Sequence, residues 1–281
     1  MLRRLLRSLR ARSPASGAPR ADHDGHPLAL RERLKHIHAR APMDDHLRVL
    51  FGRLSFPGGP VLALIDRAIA ESNTLVPPLK AIHRRAAALN LAQYFLVGRS
   101  LGGRAAECGV FSGCSALACC LAARAVDPAY AGEGFHLIDS FAGLSEPGAE
   151  DRIAVQPELG VGFTLPPEIP PGNLAAGVHY VRRSMREFPA VSIHEGWIPE
   201  VFGGLPEAEW SYVHVDVDLH APTLAALEYF YPRLMRGGVV ICDDYGAPTF
   251  PGARRAWDGF CDRYGVPFVV LPTGQSVILK A

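Results

Sequence analysis

The chain has 281 residues, of which 48% are hydrophobic and 20% are charged, and its formal net charge is +1. A chain of this size and composition can bury the core of one large domain with an appendage. The near-zero net charge does not suggest a polyanion-binding surface, so no nucleic-acid partner is expected.

A basic leader and a linker open the chain. Residues 1–20 contain six arginines and no acidic residue, and residues 13–28 are rich in Pro, Ala, Gly and Ser. Four leucines of the leader have the spacing of a short amphipathic helix, which could contact an anionic membrane surface. The segment has no continuous apolar run, so a secretory signal is not expected, and for residues 1–28 we favour a disordered leader over this membrane contact.

The six cysteines show no Cys-x-x-Cys spacing, and most of them lie in apolar runs. This usage is typical of small buried side chains in a reducing compartment, and it argues against zinc sites and disulfides. We therefore expect a cytoplasmic protein.

Residues 29–101 have helical patterns and no strand pattern. Candidate helices are Val61–Ala70 and Leu79–Gly98, in which apolar residues recur at helical spacing. We interpret the segment as a helical N-terminal layer that packs on a core of residues 102–281.

The core begins with a strand, a glycine turn and an apolar helix. The strand starts at Arg104, the turn contains Gly109 and Gly113, and the helix covers Ala116–Ala125. Such a turn lets the backbone approach a ligand and offers the N–H groups of the helix N-terminus to it. The spacing is not Gly-x-Gly-x-x-Gly, so a complete dinucleotide fingerprint is absent, and close packing of helix on strand is the alternative explanation.

A second short strand begins at Phe135 and ends in an acid, Asp139. An acid in this position binds the ribose diol in doubly wound folds, although a turn or helix-cap role is equally common for a single Asp. Together with the glycine turn, Asp139 favours a ligand that carries adenosine.

A long segment without periodicity follows. Residues 142–173 contain five glycines and six prolines, which is typical of a lid, a binding loop or disorder. A helix over 178–188 and a third strand from Val191 come next. The exit loop of that strand, with Gly196 and Trp197, is assigned to the cofactor site, whereas His194 is predicted to be a partly buried polar residue.

The centre of the chain is a strand, a helix and a strand, in which each strand ends in two carboxylates. The first pair is Asp216 and Asp218, and the second is Asp243 and Asp244. A helix joins the two strands, and we expect it to end at Gly237–Gly238. A short βαβ connection makes the strands parallel, so both acidic pairs reach the same crevice. Four carboxylates repel one another unless protons or a cation neutralise them, and a divalent metal is the simplest solution.

The chemistry of the four acids favours Mg²⁺ over zinc, because a ligand set of carboxylates alone, without Cys or His, suits Mg²⁺. Asp216 and Asp218 lie on one face of a regular strand. Asp243 and Asp244 can reach one ion only if their strand ends near Cys242. A solvated strand-end role is reasonable for any single acid, but four at one edge of a sheet favour a metal site.

A helix over Arg254–Tyr264 and two strands joined at Thr273–Gly274 complete the chain, the strands as an antiparallel hairpin. The predicted fold is therefore α/β, with a doubly wound, mostly parallel sheet, a C-terminal hairpin and the helical N-terminal layer.

Four motifs occur in a fixed order along the core. They read Glu107-Cys-Gly-Val-Phe-Ser-Gly, Asp139-Ser-Phe-Ala-Gly-Leu, Val215-Asp-Val-Asp-Leu-His-Ala-Pro-Thr and Gly237-Gly-Val-Val-Ile-Cys-Asp-Asp-Tyr-Gly. Together they resemble the macrocin O-methyltransferase (TylF-type) family. The resemblance implies a class I, Rossmann-like fold that binds S-adenosylmethionine and transfers its methyl group, with the help of Mg²⁺, to a hydroxyl of a sugar or glycosylated natural product.

The resemblance also implies roles for individual residues. Asp216, Asp243 and Asp244 correspond to metal ligands, and Asp218 to a general base, a role that Asp216 could take instead. His220, which stands where the family has Tyr, could contact the acceptor or assist Asp218, or it could only cap a turn. The residues assigned to the cofactor site are Glu107, Gly109, Val110, Phe111, Ser112, Gly113, Ser115, Asp139, Ser140, Gly196 and Trp197.

Other functions remain open at this point. A catechol-type O-methyltransferase uses similar metal chemistry on aromatic diols, and a metal-dependent hydrolase would use the same acids to activate water. The expected acceptor is a small molecule or glycan with adjacent hydroxyls, and the expected assembly is a homo-oligomer.

Overall fold

The computed structural model describes residues 59–72, 81–152 and 170–281, which belong to one compact unit. The basic leader, the start of the helical N-terminal layer and residues 153–169 of the predicted insertion lie outside the described residues, so their assignments stay predictions. So do the cytoplasmic location and the homo-oligomeric state. None of the helices in the described ranges is both long and apolar enough to cross a membrane.

The described chain alternates helices and strands. The helices are α1 (Gly59–Ser72), α2 (Ala81–Ser100), α3 (Cys114–Val126), α4 (Val178–Ser184), α5 (His220–Arg233) and α6 (Pro251–Tyr264). The strands are β1 (Arg104–Cys108), β2 (Phe135–Asp139), β3 (Ser192–Glu195), β4 (Trp210–Val215), β5 (Leu234–Cys242), β6 (Val269–Val270) and β7 (Ser276–Leu279).

The strands form one sheet with the order β3-β2-β1-β4-β5-β7-β6. Strands β1 to β5 pair in parallel, and β7 pairs antiparallel with both β5 and β6. The predicted doubly wound sheet with a C-terminal hairpin is thereby confirmed. The strand order reverses between β1 and β4, and a ligand crevice is expected beyond the ends of these two strands.

Helices cover both faces of the sheet. On one face α1, α2 and α3 pack on aromatic side chains that include Phe135 and Tyr212. Residues 116–123 of α3 are all buried, because this part of the helix has only apolar side chains. On the other face α5 and α6 pack around Trp210, Phe230 and Trp257. Five of the six cysteines are buried, as predicted.

One boundary in the central unit differs from the prediction. Helix α5 ends at Arg233, directly after Pro232, and Gly237 and Gly238 lie within β5 instead of ending the helix. Proline lacks the N–H that a continuing helix needs, so it ends the helix earlier than the glycines could. The N–H of Gly237 donates to the carbonyl of Lys280 at 2.7 Å, which joins this part of β5 to the end of the chain.

Candidate active site

The glycine turn between β1 and α3 lies against the end of β4. Gly109 has a φ of 83°, and a Cβ at this position would lie 1.7 Å from the carbonyl oxygen of Asp216. The N–H of Asp216 donates to the carbonyl of Cys108 at 2.8 Å, and this bond also holds the turn close to the end of β4. Only glycine allows this contact, so Gly109 joins the predicted cofactor turn to the first acidic pair.

Asp139 holds the turn from the end of β2. Its Oδ2 accepts the N–H groups of Val110 at 2.7 Å and Phe111 at 3.0 Å, and its Oδ1 accepts the N–H of Phe141 at 2.7 Å. These bonds organise two turns in which Phe111 and Phe141 have positive φ angles of 49° and 54°. Carboxylate oxygens can accept more than one hydrogen bond, so a ribose hydroxyl remains chemically compatible with this structural role.

Two serines of the predicted cofactor site hydrogen-bond through their hydroxyls and the third through its backbone carbonyl. Ser115, in the first turn of α3, donates from Oγ to Oε1 of Glu107 at 2.7 Å. Ser112 is buried, and its carbonyl accepts the hydroxyl of Ser184 at 2.9 Å. The hydroxyl of Ser140 donates to the carbonyl of Gly143 at 3.1 Å. These contacts fix the loops around the mouth of the crevice.

The exit loop of β3 lies beside the end of β2. The N–H of Gly196 donates to the carbonyl of Asp139 at 2.9 Å, so the loop continues the edge that the glycine turn begins. Trp197, the next residue, is 45% exposed, which is unusual for so large an apolar side chain. The loop therefore presents an indole at the rim where the cofactor was predicted.

Three carboxylates meet at the ends of β4 and β5. Oxygen atoms of Asp216, Asp218 and Asp244 lie within 4.8 Å of one another. Strand β5 ends at Cys242, the condition under which adjacent acids can reach one site. Asp218 has a φ of 61°, and its N–H donates to Oδ2 of Asp244 at 3.0 Å. This grouping contains Asp218, predicted to be the base, and omits Asp243, predicted to be a ligand.

The electrostatics of this cluster are unfavourable without a counter-charge. Burial raises the pKa of Asp216 well above its usual range, and the charges of Asp243 and Asp244 raise it further. The pKa of Asp218 is raised by burial and then by Asp216, and that of Asp244 by burial and then by Asp218. A divalent cation would relieve this repulsion, and an all-oxygen donor set fits Mg²⁺.

Asp243 is held by residues that the sequence did not single out. Its Oδ1 accepts Nε2 of Gln275 at 2.7 Å, and Gln275 is fully buried beside β7. The side-chain oxygen of Gln275 accepts Nδ2 of Asn90 at 2.9 Å and the hydroxyl of Thr273 at 2.8 Å. In the sequence Gln275 is visible only as an amide next to an apolar run, because Asn90 and Asp243, which it contacts, lie far away along the chain.

His214 is a second residue that the sequence did not single out. It is fully buried in β4, with Nδ1 3.3 Å from Oε2 of Glu107 and Nε2 3.5 Å from Oδ1 of Asp243. Burial lowers its pKa, but Asp243 and Glu107 more than offset this and hold the pKa well above its usual value. In the sequence His214 looked like one polar position within a buried strand.

His220 begins α5 and is positioned by Asp151. Its backbone N–H donates to Oδ1 of Asp151 at 2.7 Å, so the helix is capped from a distant loop. The His220 side chain lines an open groove of about 310 Å³ between α5 and α6, together with residues that include Arg255 and Arg263. The groove contains none of the four acids and lies on the flank of the site.

Comparison with known proteins assigns these features to one group. A family model described as Macrocin-O-methyltransferase (TylF) matches residues 82–270. The chain is 33% identical over 132 residues to the 8-demethyl-8-(2,3-dimethoxy-alpha-L-rhamnosyl)-tetracenomycin-C 4'-O-methyltransferase of Streptomyces olivaceus, which covers 46% of this chain and 47% of that protein. It is 32% identical over 71 residues to the Mycinamicin III 3''-O-methyltransferase of Micromonospora griseorubida. This match covers 25% of this chain and 27% of that protein. The chain therefore matches about half of the first relative and about a quarter of the second.

Two solved structures share the fold. The O-methyltransferase NovP superimposes with a TM-score of 0.57 and 22% identity, covering 71% of this chain and 80% of that one. The calicheamicin methyltransferase CalS11 superimposes with a TM-score of 0.58 and 18% identity, and the match covers 95% of this chain and 99% of that one. At these identities the likeness establishes the fold, which is that of the class I methyltransferases.

Proposed function

The chain belongs to the macrocin O-methyltransferase (TylF) family, and on this premise we propose that it methylates a hydroxyl of a sugar-bearing natural product, using S-adenosylmethionine and Mg²⁺. The observation that carries the proposal is the contact of Gly109 with Asp216, which places a cofactor-type turn directly against an acidic cluster. The relative from Streptomyces olivaceus is named as a 4'-O-methyltransferase of a rhamnosyl-bearing tetracenomycin, and the relative from Micromonospora griseorubida as an O-methyltransferase of mycinamicin III, which supports this acceptor class.

The residues of the glycine turn and the ends of β2 and β3 would hold the cofactor. When bound, S-adenosylmethionine supplies a methyl group on a cationic sulfur, which needs no further activation. The turn contributes backbone N–H groups at the start of α3, Asp139 contributes oxygens that can accept a ribose hydroxyl, and Trp197 contributes an exposed ring. The role of the chain here is alignment of the methyl group with the acceptor oxygen.

The acids at the ends of β4 and β5 would hold the metal. Asp216, Asp243 and Asp244 are the proposed ligands, and the Oδ1 contact with Gln275 fixes how Asp243 is presented. When bound, Mg²⁺ supplies a Lewis acid that stabilises a developing alkoxide and orients adjacent hydroxyls. An ion held by three protein carboxylates would keep open coordination positions, which the two adjacent hydroxyls of an acceptor could fill.

Asp218 is the proposed proton acceptor. Its carboxylate is buried within the cluster, and its positive φ of 61° turns the chain sharply between β4 and α5. A carboxylate next to the acceptor oxygen can take the hydroxyl proton as the methyl group arrives. His220 lies two residues further on, and its side chain lines the groove on the flank of the site, so it would contact only a part of the acceptor that extends beyond the acids.

An acceptor panel tests the proposed function. Isotopically labelled S-adenosylmethionine would be incubated with glycosides, catechols and simple alcohols, with Mg²⁺ or with a chelator. We expect glycosides with adjacent hydroxyls to be methylated, and the chelator to abolish the reaction. Good turnover of catechols with none of glycosides would replace the sugar acceptor by a small aromatic diol, and chelator-insensitive transfer would remove the metal from the proposal.

A further inference from the structure

His214 joins the cofactor side of the site to the metal side. It pairs with Glu107 across β1 and β4, and the alternation of side chains along strands places both residues on the same face of the sheet. One ring nitrogen faces Glu107 at 3.3 Å and the other faces Asp243 at 3.5 Å. Glu107 and His214 are fully buried, and a distance of 3.3 Å between their side chains leaves no room for a water molecule between them.

The same line of contacts continues beyond both carboxylates. Glu107 accepts the hydroxyl of Ser115, which lies in the first turn of α3 beside the cofactor turn. Asp243 accepts the amide of Gln275 through the oxygen that also faces His214. The polar chain therefore runs from the helix that begins at the cofactor turn to the hairpin behind the acidic cluster.

The contacts around His214 are loose compared with the rest of the core. Seven buried side-chain polar atoms among the described residues lack a hydrogen-bond partner of good geometry, and three of them are Oε2 of Glu107 and both ring nitrogens of His214. Burying an imidazole and a carboxylate is costly unless they are well bonded. A site of pure packing would be filled at less cost by apolar side chains, as it is at the neighbouring Ala105 and Tyr212.

We propose that His214 is a positioning residue through which the cofactor and the metal ion each strengthen the binding of the other, an inference that rests on the proposed function. The imidazole ring is rigid, so a shift of Asp243 toward an ion changes the contact that the ring makes with Glu107. A shift of Glu107 or α3 on cofactor binding acts on Asp243 in the same way. Such a coupling is reciprocal by thermodynamic necessity.

Calorimetric titration measures this coupling without turnover, because S-adenosylhomocysteine has no methyl group to transfer. The affinity of the wild-type chain for S-adenosylhomocysteine would be measured with and without saturating Mg²⁺, and the affinity for Mg²⁺ with and without saturating S-adenosylhomocysteine. We expect each ligand to raise the affinity for the other by about fivefold or more, and by the same factor in both directions.

Two substitutions each keep half of the bridge. His214→Asn places an amide near the position of Nδ1 and can keep the contact with Glu107, whereas His214→Gln reaches the position of Nε2 and can keep the contact with Asp243. Both variants are expected to bind each ligand alone but to reduce the coupling factor to about one, because neither side chain spans both carboxylates. His194→Gln is the control, since His194 is partly buried in β3 and contacts His136 instead.

The outcomes separate the inference from the proposed function. A wild-type chain that binds both ligands without mutual effect overturns the coupling, as do folded variants of His214 that keep the wild-type factor. A wild-type chain that binds neither ligand instead refutes the proposed function itself. Thermal unfolding would establish that each variant folds, and a wild-type coupling factor of one overturns the inference whether or not the variants fold.

Discussion

The carboxylate of Asp151 accepts the backbone N–H of His220 at 2.7 Å, although 69 positions separate the two residues in the chain. The same carboxylate accepts the N–H of Gly148 at 2.8 Å and lies directly over Gly252 in the first turn of α6. One buried acid thus ties the loop after β2 to the beginnings of both helices beside the acidic cluster.

Gly252→Ala should destabilise the protein, because the new Cβ would lie 1.7 Å from Oδ1 of Asp151. Either α6 or Asp151 must move, and overpacking of this kind costs about 1–3 kcal/mol. Gly259→Ala is the matched control in the same helix, since a Cβ there meets no atom within 4 Å. The control should gain about 0.5–1 kcal/mol from helix propensity, and urea unfolding of both variants measures the difference. If Gly252→Ala were as stable as Gly259→Ala, the Asp151 side chain would have moved away from the new Cβ at little cost.

Gln275→Glu should weaken Mg²⁺ binding by about 10- to 100-fold, an effect typical of losing a group that orients a ligand. The substitution replaces a donor to Asp243 by a second carboxylate, so Asp243 loses its bond and gains a repulsive neighbour. Calorimetric titration with Mg²⁺ is the measurement. Thr273→Ser keeps a hydroxyl for the Gln275 side-chain oxygen and should bind Mg²⁺ like the wild type. An unchanged affinity in Gln275→Glu would mean that Asp243 is not a ligand.

Asp218→Asn should lower kcat by about 100-fold or more while it stabilises the metal-free protein. The loss of the carboxylate removes the proposed proton acceptor, whereas the loss of its charge relieves repulsion with Asp216 and Asp244. Asn tolerates the positive φ at this position, so the backbone need not change.

Thermal unfolding in the presence of a chelator tests whether Asp218→Asn stabilises the metal-free protein. The Tm of Asp218→Asn should rise by about 2–4 °C, which corresponds to about 1 kcal/mol in a chain of this size. Glu207→Gln removes an exposed acid far from the cluster and should leave the Tm unchanged. A lower Tm for Asp218→Asn would show that the carboxylate is needed for the fold.

The contribution of His136 to the stability of the protein should fall as the pH is lowered from about 6.5 to about 4. Burial, with His194 and Arg104 nearby, lowers the pKa of His136 from 6.5 to about 4. In this window the unfolded chain binds a proton that the folded chain resists, so protons favour unfolding. Urea unfolding of both proteins across the window should show the wild type losing stability relative to His136→Gln as the pH falls. His179→Gln, at an exposed position, should keep the wild-type slope.

The sequence predicted those features that local patterns determine. Apolar runs that end in acids predicted the parallel strands and the meeting of Asp216, Asp218 and Asp244, and the four ordered motifs predicted the family, which the family match confirms. The two glycines of β5 were misassigned because glycine ends helices more often than it lies within strands.

The contacts behind the acids could not be predicted in this way. His214 meets Glu107 through the register of β1 and β4, and Gln275 meets Asn90 across 185 positions of the chain. Register and long-range approach depend on the packing of the whole sheet, and a single residue within an apolar run gives no sign of its partner. The same holds for Asp151, whose role depends on where a distant loop crosses two helices.

Strand β7 follows all the other described strands along the chain, yet it lies between β5 and β6 within the sheet. During translation β5 is therefore made before the strand that will pair with it, and it leaves a row of unpaired backbone groups until β7 emerges from the ribosome. Asp243 also lacks its bond to Gln275 for that time. Until β7 pairs with β5, the chain therefore has an unpaired strand edge, which is prone to pair with other chains, and an incomplete acidic cluster at the same time.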